Sequence, residues 1–165
     1  MAQDNNNTPN NITYKQMINT FSDIATNHLQ IQSFNSGSID DVDIEKLDAD
    51  KFPLMYITPL PVSVDAQTLT YSFDVIIADR IQEDMADIDD AYSETLLIIK
   101  DVISNFRQAT QTESWADQRT DIDLPLNLTP FTSRFANLLT GWGGTFNIVV
   151  NNENNLCAVP QTNNS

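Results

Sequence analysis

The chain has 165 residues, 41% of them hydrophobic and 19% charged, a length and composition that suit one folded domain with its own core. Twenty-three acidic residues against eight basic ones give a formal charge of −15, which repels phosphate backbones and anionic lipid surfaces and excludes conventional nucleic-acid binding. A single cysteine, Cys157, and a single histidine, His28, exclude an intrachain disulfide framework and the usual zinc sites.

The opening MAQDNNNTPNN has neither a basic start nor an apolar run, so it does not read as a signal peptide, and no stretch reaches the ~18 apolar residues that span a bilayer. Residues 1–11 are polar and Asn-rich, and read as a flexible arm with too little apolar content to offset the entropy of ordering. The same reasoning makes 161–165 a disordered tail, leaving 12–160 as the domain.

Thr13 with Gln16 three residues on matches a capping box, and Tyr14, Met17, Ile18, Phe21, Ile24, Ala25 and His28 recur at steps of three and four. An amphipathic helix over 14–29 is expected. Leu29, Ile31 and Phe34 then mark a short extended segment ended by Asn35-Ser36-Gly37-Ser38, and an acid-rich loop follows with one helical turn in it. The proline-bounded run FPLMYITP predicts a strand over Leu54–Thr58, and TLTYSFDVIIAD predicts a second with Leu69, Tyr71, Phe73, Val75 and Ile77 on one face.

From Asp79 to Phe106 the period shifts to three and four through Met85, Ile88, Tyr92, Leu96, Ile99 and Ile103, which predicts one long helix with one face on the sheet. Acids crowd its first half and Lys100 and Arg107 come late, as the helix dipole favours. Ile122, Leu124, Leu126 and Leu128 alternate strictly, and predict a strand that Pro125 confines to an edge or bulge. A final strand is expected over Thr145–Val150. The reading is an α+β domain, a small mixed or antiparallel sheet packed by a long central helix and an N-terminal helix.

Candidate chemistry is sparse. His28 sits at the buried-face spacing of the first helix with no nucleophile or orienting acid in view, and Cys157 has no base near it in sequence, so neither is assigned catalysis. Asp40, Asp41, Asp43, Glu45, Asp48 and Asp50 form an acidic run without the glycine and closing glutamate of a calcium loop, and read as solvated. No catalytic residue, cofactor or metal is assigned.

Three of the four glycines, Gly141, Gly143 and Gly144, flank Trp142. They read as a tight turn that presents the indole, either as part of the core or as an anchor for another protein. GWGG lacks the lysine and the following helix of a phosphate loop.

Taken together, HLQIQSFNSG, the acidic loop, FPLMYITP, DVIIADRI, the long acidic helix, the closing GW and NLCAVP resemble the tail-completion, tail-terminator and neck-ring proteins of tailed bacteriophages over residues 12–160. The resemblance rests on Pro53, Asp79-Arg80, Gly141-Trp142, and Cys157 with Pro160. It implies a structural, non-enzymatic virion protein, assembled in the host bacterial cytoplasm and placed in the neck or tail. It further implies a homo-oligomeric ring of six or twelve copies that joins portal, neck or tail proteins and lets DNA through a central channel, with no membrane partner. Inter-subunit or docking candidates are Pro53, Arg80, Gly141, Trp142, Gly143, Gly144 and Pro160. The alternative is a soluble non-catalytic adaptor or binding module, or an accessory enzyme subunit.

Overall fold

A computed structural model describes residues 12–38, 48–82, 84, 86–108, 121–133 and 139–152. In chain order these form α1 (Tyr14–Asn27), β1 (Ser33–Ser36), a 3-10 turn (Ala49–Lys51), β2 (Leu54–Pro59), β3 (Ser63–Val64) and β4 (Thr68–Arg80), followed by α2 (Ile88–Gln108), β5 (Asp121–Ile122), β6 (Thr129–Ser133) and β7 (Leu139–Asn151). The expected α+β class holds: seven strands make one mixed sheet, with β1-β2-β4-β7-β5 in spatial order, β3 added to β4 and β6 added to β7. Among the described strands only β1 and β2 run parallel.

The capping box opens α1 as expected: Gln16 donates its backbone N–H to the Thr13 hydroxyl at 3.2 Å, and Thr13 N–H donates to the Gln16 side chain at 2.7 Å. Met17, Phe21 and Ala25 then fall on one stripe and are buried. The helix ends at His28, whose N–H still reaches the Ile24 carbonyl at 3.0 Å while its own backbone is extended.

Alternation along β4 puts Tyr71, Phe73, Val75 and Ile77 on the face that both helices cover. Their register partners on the two flanking strands continue that face, with Met55 and Ile57 on β2 and Phe146 and Ile148 on β7. Phe21 of α1 stands at the centre. Its ring lies 5.1 Å from Phe73, 4.8 Å from Phe106 of α2 and 6.2 Å from Phe146, so both helices and the two central strands share one aromatic cluster. Each such ring pair contributes on the order of 0.5–1.5 kcal/mol beyond its buried area. The opposite face carries a second, smaller core of Phe52, Leu54, Tyr56 and Leu139.

Two expectations fail in informative ways. The long helix begins at Ile88, not Asp79, because β4 continues through Asp79 and Arg80, which pair with Thr140 and Leu139 of β7. The acids beyond it make local bonds that compete with a helix. Gln82 N–H donates to the Asp87 carboxylate at 3.2 Å, and Ala86 N–H donates to that of Asp84 at 3.2 Å. The strand expected over 122–128 stops at Ile122, and the chain leaves the ladder until Thr129. Leu126 and Leu128 turn onto the core while Leu124 is exposed, so the alternating pattern is real but does not belong to one strand. The acidic run 40–45, Met85, Cys157 and Pro160 lie outside the described residues.

The observed α2 face gives a direct check. Ile99 is fully buried whereas Leu97 is 56% exposed. Ile99→Asp is expected to abolish the cooperative melt, because it buries an unpaired charge. Leu97→Asp is expected to shift the melting temperature little. Circular-dichroism melts of the two variants read both outcomes.

Candidate docking site around Trp142

The GWGG stretch is not a turn. All four residues lie inside β7, where Gly141, Trp142, Gly143 and Gly144 pair with Ala78, Ile77, Ile76 and Val75 of β4. Among the described residues the only glycine with positive φ is Gly37, at 137°. Left-handed backbone is therefore not what the other three supply.

What they supply is room for close approach. A Cβ on Gly141 would overlap the carbonyl oxygen of Ile77 on the neighbouring strand. On Gly144 it would lie 2.8 Å from a Leu128 methyl and 2.9 Å from the Asn127 carbonyl oxygen, in the segment that leaves the ladder between β5 and β6. Gly143 is different, since its nearest neighbour would be Ile76 Cγ1 at 3.4 Å. Two of the glycines thus let β4 and residues 126–128 close on β7, and the third does not.

Trp142 shares the helix face with its register partner Ile77. Its Nε1–H donates to the carbonyl of Tyr92 in α2 at 2.9 Å, and its ring meets the Tyr92 ring edge-on at 5.8 Å. The Tyr92 hydroxyl in turn pairs with Thr132 Oγ1 of β6 at 2.6 Å. One half-buried indole therefore ties the sheet to the first turns of α2, and α2 to the edge strand. Beside it Thr95 and Thr140 are buried and satisfied, Thr95 donating to the Ala91 carbonyl at 2.6 Å and Thr140 to that of Phe131 at 3.1 Å.

The other candidates are dispersed. Arg80, at the end of β4, is on the opposite face, its guanidinium 6.0 Å from the centroid of the Phe52 ring. Pro53 is half-buried, and its carbonyl accepts from Gln32 N–H at 2.9 Å. Asp79, one residue before Arg80, faces the start of α2. Burial pushes its carboxyl above the ordinary carboxylate range, the Arg80 N–H that it accepts opposes this, and nearby Glu94 and Asp87 raise it further. The sequence reading makes Asp79 the first residue of the long helix, although it closes the stretch TLTYSFDVIIAD and falls next in the alternation through Val75 and Ile77, which is where β4 places it.

His28 joins the two helices. Its Nδ1 accepts from Gln30 N–H at 3.2 Å and its Nε2 meets the Asp101 carboxylate of α2 at 3.1 Å. With Nδ1 accepting, the proton of the neutral ring sits on Nε2 and is given to Asp101. Among the described residues no group of three or more His, Cys, Asp and Glu is arranged to hold a metal ion. No described helix is long and apolar enough to cross a membrane. Neither a family model nor a curated protein matches the chain.

Three variants separate the roles around β7. Gly141→Ala is expected to cost about 3 kcal/mol or more, because two strands must part to admit one methyl. Gly143→Ala should stay within roughly 1 kcal/mol. Trp142→Ala should cost ~3 kcal/mol as a large aromatic leaving a packed site. Urea titrations measure all three, and equal loss at Gly141 and Gly143 would disprove the close-approach account.

Asp79 predicts a pH effect of defined sign. Its folded-state affinity for protons exceeds that of the unfolded chain, so its contribution becomes less favourable as pH rises above the usual carboxylate value of about 4. Asp79→Asn keeps the acceptor for Arg80 N–H and removes the charge. The variant should melt higher than the parent at pH 7, and the gap should close toward pH 4.

Proposed function

We propose that the chain is a ring-forming structural subunit of a tailed-bacteriophage virion, at the head-to-tail junction or in the tail, around the channel through which DNA passes. The observation that carries this reading is the form of the sheet. It ends in two unlike edges, the four-residue β1 on one side and the interrupted β5–β6 edge on the other. A subunit with two different contact faces assembles head to tail, and such contacts close into a ring when the rotation between neighbours completes a circle.

The placement of charge supports the same reading. Asp84, Asp89, Asp90, Glu94 and Asp101 are exposed along α2 and the turn before it. An acidic wall repels phosphate at short range, so a duplex moves past it without the counterion-releasing contacts that would hold it. The non-enzymatic assignment follows the resemblance and gives the subunit an architectural role. Trp142 enters through the fold: by fixing α2 and β6 against β7 it sets the shape of the β5–β6 edge that a neighbour would meet.

Light scattering on the purified protein, with negative-stain imaging, tests the assignment. The expected result is closed annuli whose mass is six or twelve times 18.5 kDa, formed alone or on purified neck assemblies. A protein that stays monomeric at all concentrations and is missing from the proteins of purified particles would overturn it.

A further inference from the structure

The turn that carries the chain from α1 to the edge strand β1 is fastened through the backbone N–H groups of His28, Gln30 and Gln32, and the middle one rests on a titratable side chain. His28 N–H donates to the Ile24 carbonyl at 3.0 Å and Gln32 N–H to that of Pro53 at 2.9 Å, acceptors that do not titrate. Gln30 N–H donates to Nδ1 of His28 at 3.2 Å. Leu29 beside it is 96% exposed and adds no packing. The other ring nitrogen, Nε2, meets the Asp101 carboxylate of α2 at 3.1 Å. These two bonds answer differently to a proton. Nε2 carries hydrogen in the neutral tautomer and in the imidazolium, so it donates to Asp101 in either state, whereas Nδ1 accepts only in the neutral ring. A proton on Nδ1 sets two N–H donors against each other.

We propose that His28 is a proton-operated latch on the α1–β1 turn: a proton taken up at Nδ1 releases Gln30 N–H and loosens the turn, while Nε2 keeps the ring on α2. The His28 side chain is only 12% exposed, so little water reaches the ring to replace the lost partner. Asp101 is 60% exposed; its pair with the ring is screened by solvent and does nothing for Gln30. Among the described residues Asp101 is the charged group in contact with the ring. Asp23 of α1, Lys100 of α2 and Lys51 of the 3-10 turn are exposed, and β1 carries no charge. The turn leads into β1, which closes one side of the sheet, so its opening in acid reaches that edge. The latch is independent of the ring assignment, and either can fail alone.

His28 is the only histidine of the chain, so deuterium exchange at its Cε1–H, read by mass spectrometry, follows the protonation of this one ring in an assembly of any size. Amide exchange on the same samples, resolved to single residues by fragmentation, is measured from about pH 8 to pH 5, the span in which imidazoles ordinarily change charge. Each rate is expressed as protection relative to an unstructured chain at the same pH. Protection of Gln30 should fall about 5-fold, as for the loss of one hydrogen bond, with the midpoint that Cε1–H reports. The His28 and Gln32 amides should keep theirs. In His28→Asn the side-chain Oδ1 takes the place of Nδ1 and does not titrate, so Gln30 should stay protected throughout. In His28→Gln the acceptor at the Nδ1 position is missing, and Gln30 should be weakly protected throughout. Gln30 protection that stays constant through the ring's titration, an equal loss at His28, Gln30 and Gln32, the same acid-induced loss in His28→Asn, or full protection in His28→Gln would each overturn the latch.

Discussion

The thirteen-residue antiparallel ladder between β4 and β7 is the constraint on which the rest of the molecule depends. It runs without interruption from Thr68–Asn151 to Arg80–Leu139, and four of the other five described strands are attached to one of its two members, β2 and β3 to β4 and β5 and β6 to β7, while β1 joins through β2. The two strands are far apart in sequence, so pairing them carries the loop-closure entropy of the chain between, including α2. Once made, it presents Tyr71, Phe73, Val75, Ile77, Phe146, Ile148 and Val150 as one apolar surface. The helices have a single face to cover, and Phe21 and Phe106 meet over it.

Length brings a difficulty, because long strands twist and a wide sheet of bulky side chains cannot hold every strand at close spacing. Here the relief is local. β7 carries no side chain at Gly141, where β4 crowds it, or at Gly144, where residues 126–128 cross above it. Trp142 lies between them and points at α2. The small residues bring backbones together and the large one fills the space under the helix, so the glycine cluster and the tryptophan are two parts of one packing solution. An anchor exposed for a partner would leave the indole N–H free, whereas here the Tyr92 carbonyl accepts it.

Much of this was legible in the residues. The capping box at Thr13–Gln16, the burial stripe of α1 and the inward face of β4 follow from spacing alone, because local hydrogen bonds and a single buried face decide them. The strand at Leu54 is longer than expected by one residue. What was not legible depends on partners distant in sequence. Asp79 and Arg80 read as a helix start because acids favour that position, yet their pairing with Thr140 and Leu139 decides the matter. GWGG reads as a turn because glycine is usually needed for unusual φ, and nothing local reveals that a carbonyl of another strand occupies the space of the missing Cβ. The alternating leucines at 124–128 fail for the same reason, since Gly144 opens a place for Leu126 and Leu128 that the sequence around them does not announce.

Under the proposed ring, the same arrangement bears on how copies of such charge would meet. Acids line the exposed side of α2, whereas the edge strands β1, Ser33-Phe34-Asn35-Ser36, and β6, Thr129-Pro130-Phe131-Thr132-Ser133, carry no charge, and β5 adds only the exposed Asp121. Repulsion between copies is weakest where edge meets edge and strongest where helix layers would face one another. Neutral edges alone would invite uncontrolled strand pairing, but four- and five-residue strands, one of them holding Pro130, offer few backbone groups to a stranger. Neighbour contact of useful strength must therefore add side chains beside the edge to the few strand bonds it can make. In the proposed ring the residues available for this on the β6 side would be the ones Trp142 holds in place through Tyr92 and Thr132, so the interior packing of the chain and the shape of its β6 edge are set by the same contact.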